Sequence, residues 1–216
     1  MDNNQVKQDV TEWINDFVTK PNKLLNNLPP CPYARRAILE KKVDIRVPEE
    51  GTVSYAIADT LQTWSDELDV VMLIFDPTYY TADMFSTVVE QANETIDKNF
   101  VLLDDHPNNE EVIHGVKMNM GKYAIVFVQK TDKLQEGHEY LKKHTDYYDV
   151  WSQENLDDVE EREQILDMPP SWVGKLSIAR ERVALRYGNT GCRTVLYERA
   201  KMEVFAPGAN DMGLLT

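Results

Sequence analysis

Val70-Val71-Met72-Leu73-Ile74-Phe75, closed by Asp76-Pro77, is a run of six apolar residues with no polar position at either helical or alternating spacing. A short run of this kind predicts a central β-strand covered on both faces. Asp76-Pro77 ends it, because proline withdraws a backbone donor. Upstream, Val43-Asp44-Ile45-Arg46-Val47 alternates like a strand with one polar face. Pro48 and Gly51 then make a turn, and Thr52 is placed to cap a helix running to Leu68 with Val53, Ile57, Leu61 and Trp64 as its apolar stripe. Downstream, Met84, Phe85, Val88, Val89, Ala92 and Ile96 give a helix over 82–98, and Phe100 to Leu103 gives a second buried strand. A loop containing Asn108, Asn109 and Gly115 leads to a core strand over 123–128 and a helix over 133–143.

The N-terminal part opens with an amphipathic helix carrying Val6, Val10, Trp13, Ile14, Phe17 and Val18, which Pro21 ends. Alternating helices and buried strands predict an α/β fold with a small mixed sheet of about four strands covered by helices. The last part of the series has the element order of a thioredoxin-like fold, but no Cys-X-X-Cys follows any strand. Redox exchange of that kind is disfavoured.

Charge divides the chain. Between Asp146 and Asp167 nine carboxylates face only Arg162, whereas Ser171 to Phe205 carries seven Lys or Arg against Glu181, Glu198 and Glu203. The expected organisation is an α/β domain over 1–145 and an acidic-then-basic extension over 146–216, built from helices and a hairpin around Gly188-Asn189-Thr190-Gly191. The extension packs back on the domain or mediates assembly, so a homo-oligomer is the expected partner. A net charge of −14 argues against nucleic acid and anionic membranes. Neither a signal-like segment nor an apolar run of spanning length occurs, and two cysteines 161 positions apart make no disulfide framework. A cytoplasmic, reduced protein is the expectation.

Chemistry concentrates at Leu28-Pro29-Pro30-Cys31-Pro32-Tyr33-Ala34-Arg35-Arg36. Prolines exclude helix before Cys31, while Pro32 suits a first helical turn, so the thiol falls at a helix N-terminus beside Arg35 and Arg36. The dipole and the arginines would lower its pKa. His106, at the end of a buried strand, is the candidate base for a Cys31 nucleophile, with Asp105 or Asp104 orienting its ring. Arg35 and Arg36 could hold a small anionic substrate. As a metal site, Cys31, His106, His114 and the carboxylates Asp104, Asp105, Glu110 and Glu111 supply suitable atoms but no recognised spacing. Tyr79-Tyr80 and Tyr147-Tyr148 with Trp151 are candidate pocket walls. Gly-rich phosphate loops and the Gly-X-Ser-X-Gly elbow are missing, and no cofactor is implied.

Trp13-Ile14, Pro30-Cys31-Pro32-Tyr33-Ala34-Arg35, Val71 to Pro77 and Asp105-His106-Pro107 together resemble a family of uncharacterised bacterial proteins marked by a Leu-Cys-Pro-Phe-Ala motif after an N-terminal tryptophan helix. The resemblance covers residues 10–110. That family's later segment, rich in Arg, Pro and His, has no counterpart over 109–130. The resemblance singles out Cys31 and His106 and implies no activity. With the Asn-, Asp- and Tyr-rich composition, it suggests a bacterial or phage accessory protein. Two functions follow as expectations: a small-molecule enzyme using Cys31 with His106, or a non-catalytic accessory protein assembling through its C-terminal extension.

Overall fold

The computed structural model describes residues 1–49, 52–153 and 155–156. The expected helices and hairpin beyond residue 156, and Cys192 with them, lie outside the described residues. In chain order the elements are α1 (Asn3–Trp13), α2 (Ala34–Leu39), β1 (Val43–Arg46), α3 (Val53–Gln62), β2 (Val70–Phe75), α4 (Ala82–Asn93), β3 (Phe100–Asp105), β4 (Val112–Ile113), β5 (Val116–Lys117), β6 (Ala124–Lys130) and α5 (Thr131–His144). A π-helical turn, Ile14–Val18, prolongs α1, and 3-10 turns occupy Lys23–Leu25 and Tyr147–Val150.

The α/β fold is mixed, as its sequence predicts. Four strands form one sheet in the order β1-β2-β6-β3, with β1 parallel to β2 and β6 antiparallel to both its neighbours. The apolar run that is β2 therefore takes an inner position. Its odd and even residues serve different cores: Val71, Leu73 and Phe75 pack against α3 and α4, while Met72 and Ile74 pack against Val6, Val10 and Ile14 of α1 and its prolongation. Burying both faces is what an uninterrupted apolar strand requires.

Local chemistry sets the element ends. Thr52 accepts from the Tyr55 N–H at 3.1 Å and starts α3, which stops at Gln62, short of the expected Leu68. Thr81 caps α4 in the same way, accepting from Met84 N. Asp9 fastens α1 to β6 and the residues before it, accepting hydrogen bonds from Lys122 and the Tyr123 hydroxyl. These donors favour the carboxylate and hold the Asp9 pKa down at about 2.

One feature departs from the expected layout. The segment between β3 and β6 contains the β4–β5 hairpin, whose corner His114-Gly115 has positive φ at both residues, 47° and 79°. That is the signature of a tight hairpin turn, in which glycine is at ease and histidine is uncommon. Residues 146–151, expected in the extension, pack on the α/β domain. Asn26 donates to Asp146 O at 2.8 Å, Tyr147 is buried, and Val150 and Trp151 join the core of Leu25, Ile113 and Val116.

Candidate functional site

The segment before α2 hangs on the end of the π-helical turn: the Cys31 N–H donates to Val18 O at 3.1 Å, and the Ala34 N–H donates to Cys31 O at 3.2 Å. α2 begins at Ala34 and has no side-chain cap. Cys31 thus lies two residues before the Tyr33 N-cap of α2, and the Tyr33 and Ala34 N–H groups favour its thiolate. Two tyrosines tether the surrounding chain. The Tyr33 hydroxyl donates to Gly137 O of α5 at 2.7 Å, and the Tyr147 hydroxyl donates to Pro30 O at 2.5 Å.

Solvent reaches Cys31, yet the expected depressed pKa is not found. The protein packed around the sulfur desolvates the thiolate and pushes the pKa up, and the two backbone N–H groups pull it down less strongly. The electrostatic help is small for two reasons. α2 is only six residues long, and the Arg36 guanidinium is turned to Glu40 at 2.7 Å while Arg35 is exposed. Neither arginine bonds the thiol. The same crowding raises Tyr33 and Tyr147.

His106 is fully buried directly after β3. Its ring lies 5.7 Å from that of Phe85 on α4, and Nδ1 accepts from Asn108 N at 3.2 Å. That bond assigns the proton of the neutral ring to Nε2, which is buried without a partner. Asp105 does not orient the ring. Its two oxygens accept from Asn119 Nδ2 and Met120 N, both at 2.9 Å, so it ties the end of β3 to the far side of the hairpin loop. Desolvation raises its pKa, and these two bonds and the nearby His106 moderate the rise. Asp104 is engaged elsewhere, accepting from Ser86 Oγ on α4 at 2.6 Å.

The structure does not bring the expected pair together. Cys31 belongs with Val18 and α2 on the face packed by α1, whereas His106 stacks on Phe85 on the face packed by α4. No hydrogen bond joins them. Alternation along β3 is the physical reason: Leu102 and Asp104 face α4, and His106 continues on that side, away from Cys31. The arginine pair offers no shared anion cradle, since Arg36 is neutralised by Glu40. Among the described residues no three His, Cys, Asp or Glu side chains lie close enough to hold a metal ion.

Tyr147, Tyr148 and Trp151 pack edge-on and tilted against one another as an aromatic cluster, with centroids 5.0 to 5.6 Å apart. A cleft of about 310 Å³ lies beyond β1, between Arg46-Val47-Pro48 and the Tyr55 and Asp59 side of α3. Arg46 is held there by Asp44 at 2.7 Å and Thr63 at 3.3 Å. Residues the sequence reading passed over, Asn93 and Asn119, organise more backbone than the predicted catalytic ones. Each is a lone polar residue in an otherwise ordinary helix or loop, which leaves no pattern to find.

No family model matches the chain, and no solved structure matches it. A stretch of 56 residues, 26% of the chain, is 42% identical to dynein regulatory complex subunit 7 of Bos taurus, and it spans 6% of that protein's length. A bovine relative lends no support to a bacterial or phage origin. Among the described residues no helix is long and apolar enough to cross a membrane.

Proposed function

We propose that this chain is a non-catalytic accessory protein that takes part in a multi-protein assembly, its α/β domain carrying a C-terminal segment that makes the contact. One observation carries this reading against the enzyme alternative. The Cys31 segment hangs on Val18 O while the His106 ring lies against Phe85 of α4, and no hydrogen bond joins the thiol to the imidazole. A nucleophile without a base, at raised pKa, is poorly suited to covalent catalysis. The matched stretch in a dynein regulatory complex subunit supports an assembly role and suggests a complex of that kind as the partner.

Cross-linking mass spectrometry in cells that make the protein tests this. Cross-links from Lys175 and Lys201 in the basic segment to dynein regulatory complex subunits are expected, and cross-links confined to this chain would overturn the reading. Alkylation of Cys31 resolved by peptide mass spectrometry tests the alternative. The rate should rise only in the alkaline range, above the ordinary thiol pKa of about 8.5. A thiol that reacts well below pH 8 would restore the enzyme.

A further inference from the structure

Among the described residues β1 is the bare edge of the sheet, and its sequence is complementary to itself. We infer that it is a homodimer interface, at which two copies pair their β1 strands antiparallel into one continuous eight-stranded sheet. This stands apart from the C-terminal reading above.

The backbone shows which groups are open. The Val70 N–H donates to Lys42 O, and β1 runs parallel to β2 with Asp44 beside Val71. In a parallel ladder alternate residues turn both backbone groups to the neighbour, so Lys42, Asp44 and Arg46 serve β2. Val43, Ile45 and Val47 then direct their N–H and C=O groups away from the sheet. Among the described residues nothing outside the sheet bonds to them. Their side chains are only half-buried against the α1 core, and β1 is the one strand of this sheet with no buried residue.

Pairing a second copy about a two-fold axis at Ile45 sets Ile45 against Ile45 and Val43 against Val47, with every open donor and acceptor matched. Asp44 then lies opposite Arg46 of the second copy, twice, in the pairs where side chains approach most closely. The existing Asp44–Arg46 contact at 2.7 Å would become part of a four-membered cluster of alternating charge. Alternative registers fail. A slip of one residue sets open groups against groups already used by β2. A slip of two in either direction sets Asp44 against Asp44 or Arg46 against Arg46. Isologous contacts demand this self-complementarity, and Val-Asp-Ile-Arg-Val supplies it.

The other edge of the sheet rules itself out, because the side-chain amide of Asn93 occupies both outward groups of Leu102. A second copy has β1 left to pair with.

Sedimentation of the full chain from about 1 to 500 μM tests the proposal. A monomer–dimer equilibrium is expected, with the Ile45 amide gaining hydrogen-exchange protection as concentration rises. Ile45→Pro deletes an outward donor that β2 does not use and should abolish the dimer. Asp44→Arg or Arg46→Asp alone places like charges opposite and should weaken it roughly tenfold or more, while the double exchange restores it. The double exchange keeps the composition and so controls for misfolding. A chain that stays monomeric throughout, or a dimer indifferent to these substitutions, overturns the proposal.

Discussion

The two edges of the sheet are opposites. β3 is six residues long, covered by α4, and closed by a side chain: Asn93 accepts from the Leu102 N–H at 2.8 Å and donates to its C=O at 2.9 Å, imitating one residue of a neighbouring strand. β1 is four residues long and has no such cover among the described residues. An unprotected edge invites pairing with another chain, and proteins commonly suppress that hazard with a cover, a charge or a short strand. Here one edge is sealed by a dedicated amide and the other carries charges arranged to select one partner. The difference teaches that the open edge is specific, since the fold shows it can close an edge at the cost of one asparagine.

Breaking the seal tests this most severely. Asn93→Ala leaves both outward groups of Leu102 without partners in a half-buried setting, which costs about 1–3 kcal/mol of stability. Urea denaturation should show the loss as a lower midpoint with an unchanged slope. With both edges open, association should no longer stop at a closed pair, so light scattering should rise with concentration. An Asn93→Ala protein as stable as the parent would mean the amide does not guard β3.

Asp105 at the end of β3 allows a finer comparison by pH. Its folded pKa is raised above the unfolded value by desolvation, so the folded state binds the proton more tightly. The contribution therefore favours folding below the unfolded pKa, about 3.9. It is lost as pH climbs through the folded value. Asp9 has the opposite sign: its pKa of about 2 stabilises α1 against β6 above about pH 4, and that support fades as the pH drops toward 2. The stability difference between the parent and Asp105→Asn isolates the first effect. It should shift against the parent as pH rises above 4. A difference flat with pH would show that the Asn119 and Met120 bonds offset the desolvation. Losing one of two accepted bonds should itself cost about 0.5–1.5 kcal/mol.

Much of this architecture was legible in the sequence. β2, the Thr52 cap, the alternating β1 and the stripes of α3 and α4 announce themselves through period and cap chemistry, and those signals are local. The β4–β5 hairpin escaped because its corner is His-Gly rather than Asn-Gly, and its strands are two residues each. Cys31 just before a helix was also legible. Its raised pKa was not, because the cause is burial of the sulfur, and the groups that tether the surrounding segment, Tyr147 and Gly137, lie far along the chain. The side of the sheet His106 takes depends on how β3 pairs, which no local signal records.

The smallest effect belongs to the charges just before β1. Glu40 accepts from Arg36 at 2.7 Å and meets Lys42 at 3.0 Å, a network as regular on paper as the Asp44–Arg46 pair. It is exposed, however, and Arg36 lies on α2, off the edge that a second copy would cover. An exposed pair of this kind contributes close to nothing, because water already solvates both ions and fixing the side chains costs entropy. Arg36→Ala should leave the urea midpoint, the dimer constant and the alkylation profile of Cys31 where they are. The alkylation profile is the sharpest readout. If removing Arg36 slowed thiol modification at neutral pH, the guanidinium would be acting on the sulfur despite Glu40, and the helix start would have to be reconsidered as an activated site. If only the dimer weakened, the interface would extend past β1 onto α2. An unchanged result on all three confines the charge dependence of the bare edge to Asp44 and Arg46, the residues that the two-fold pairing sets face to face.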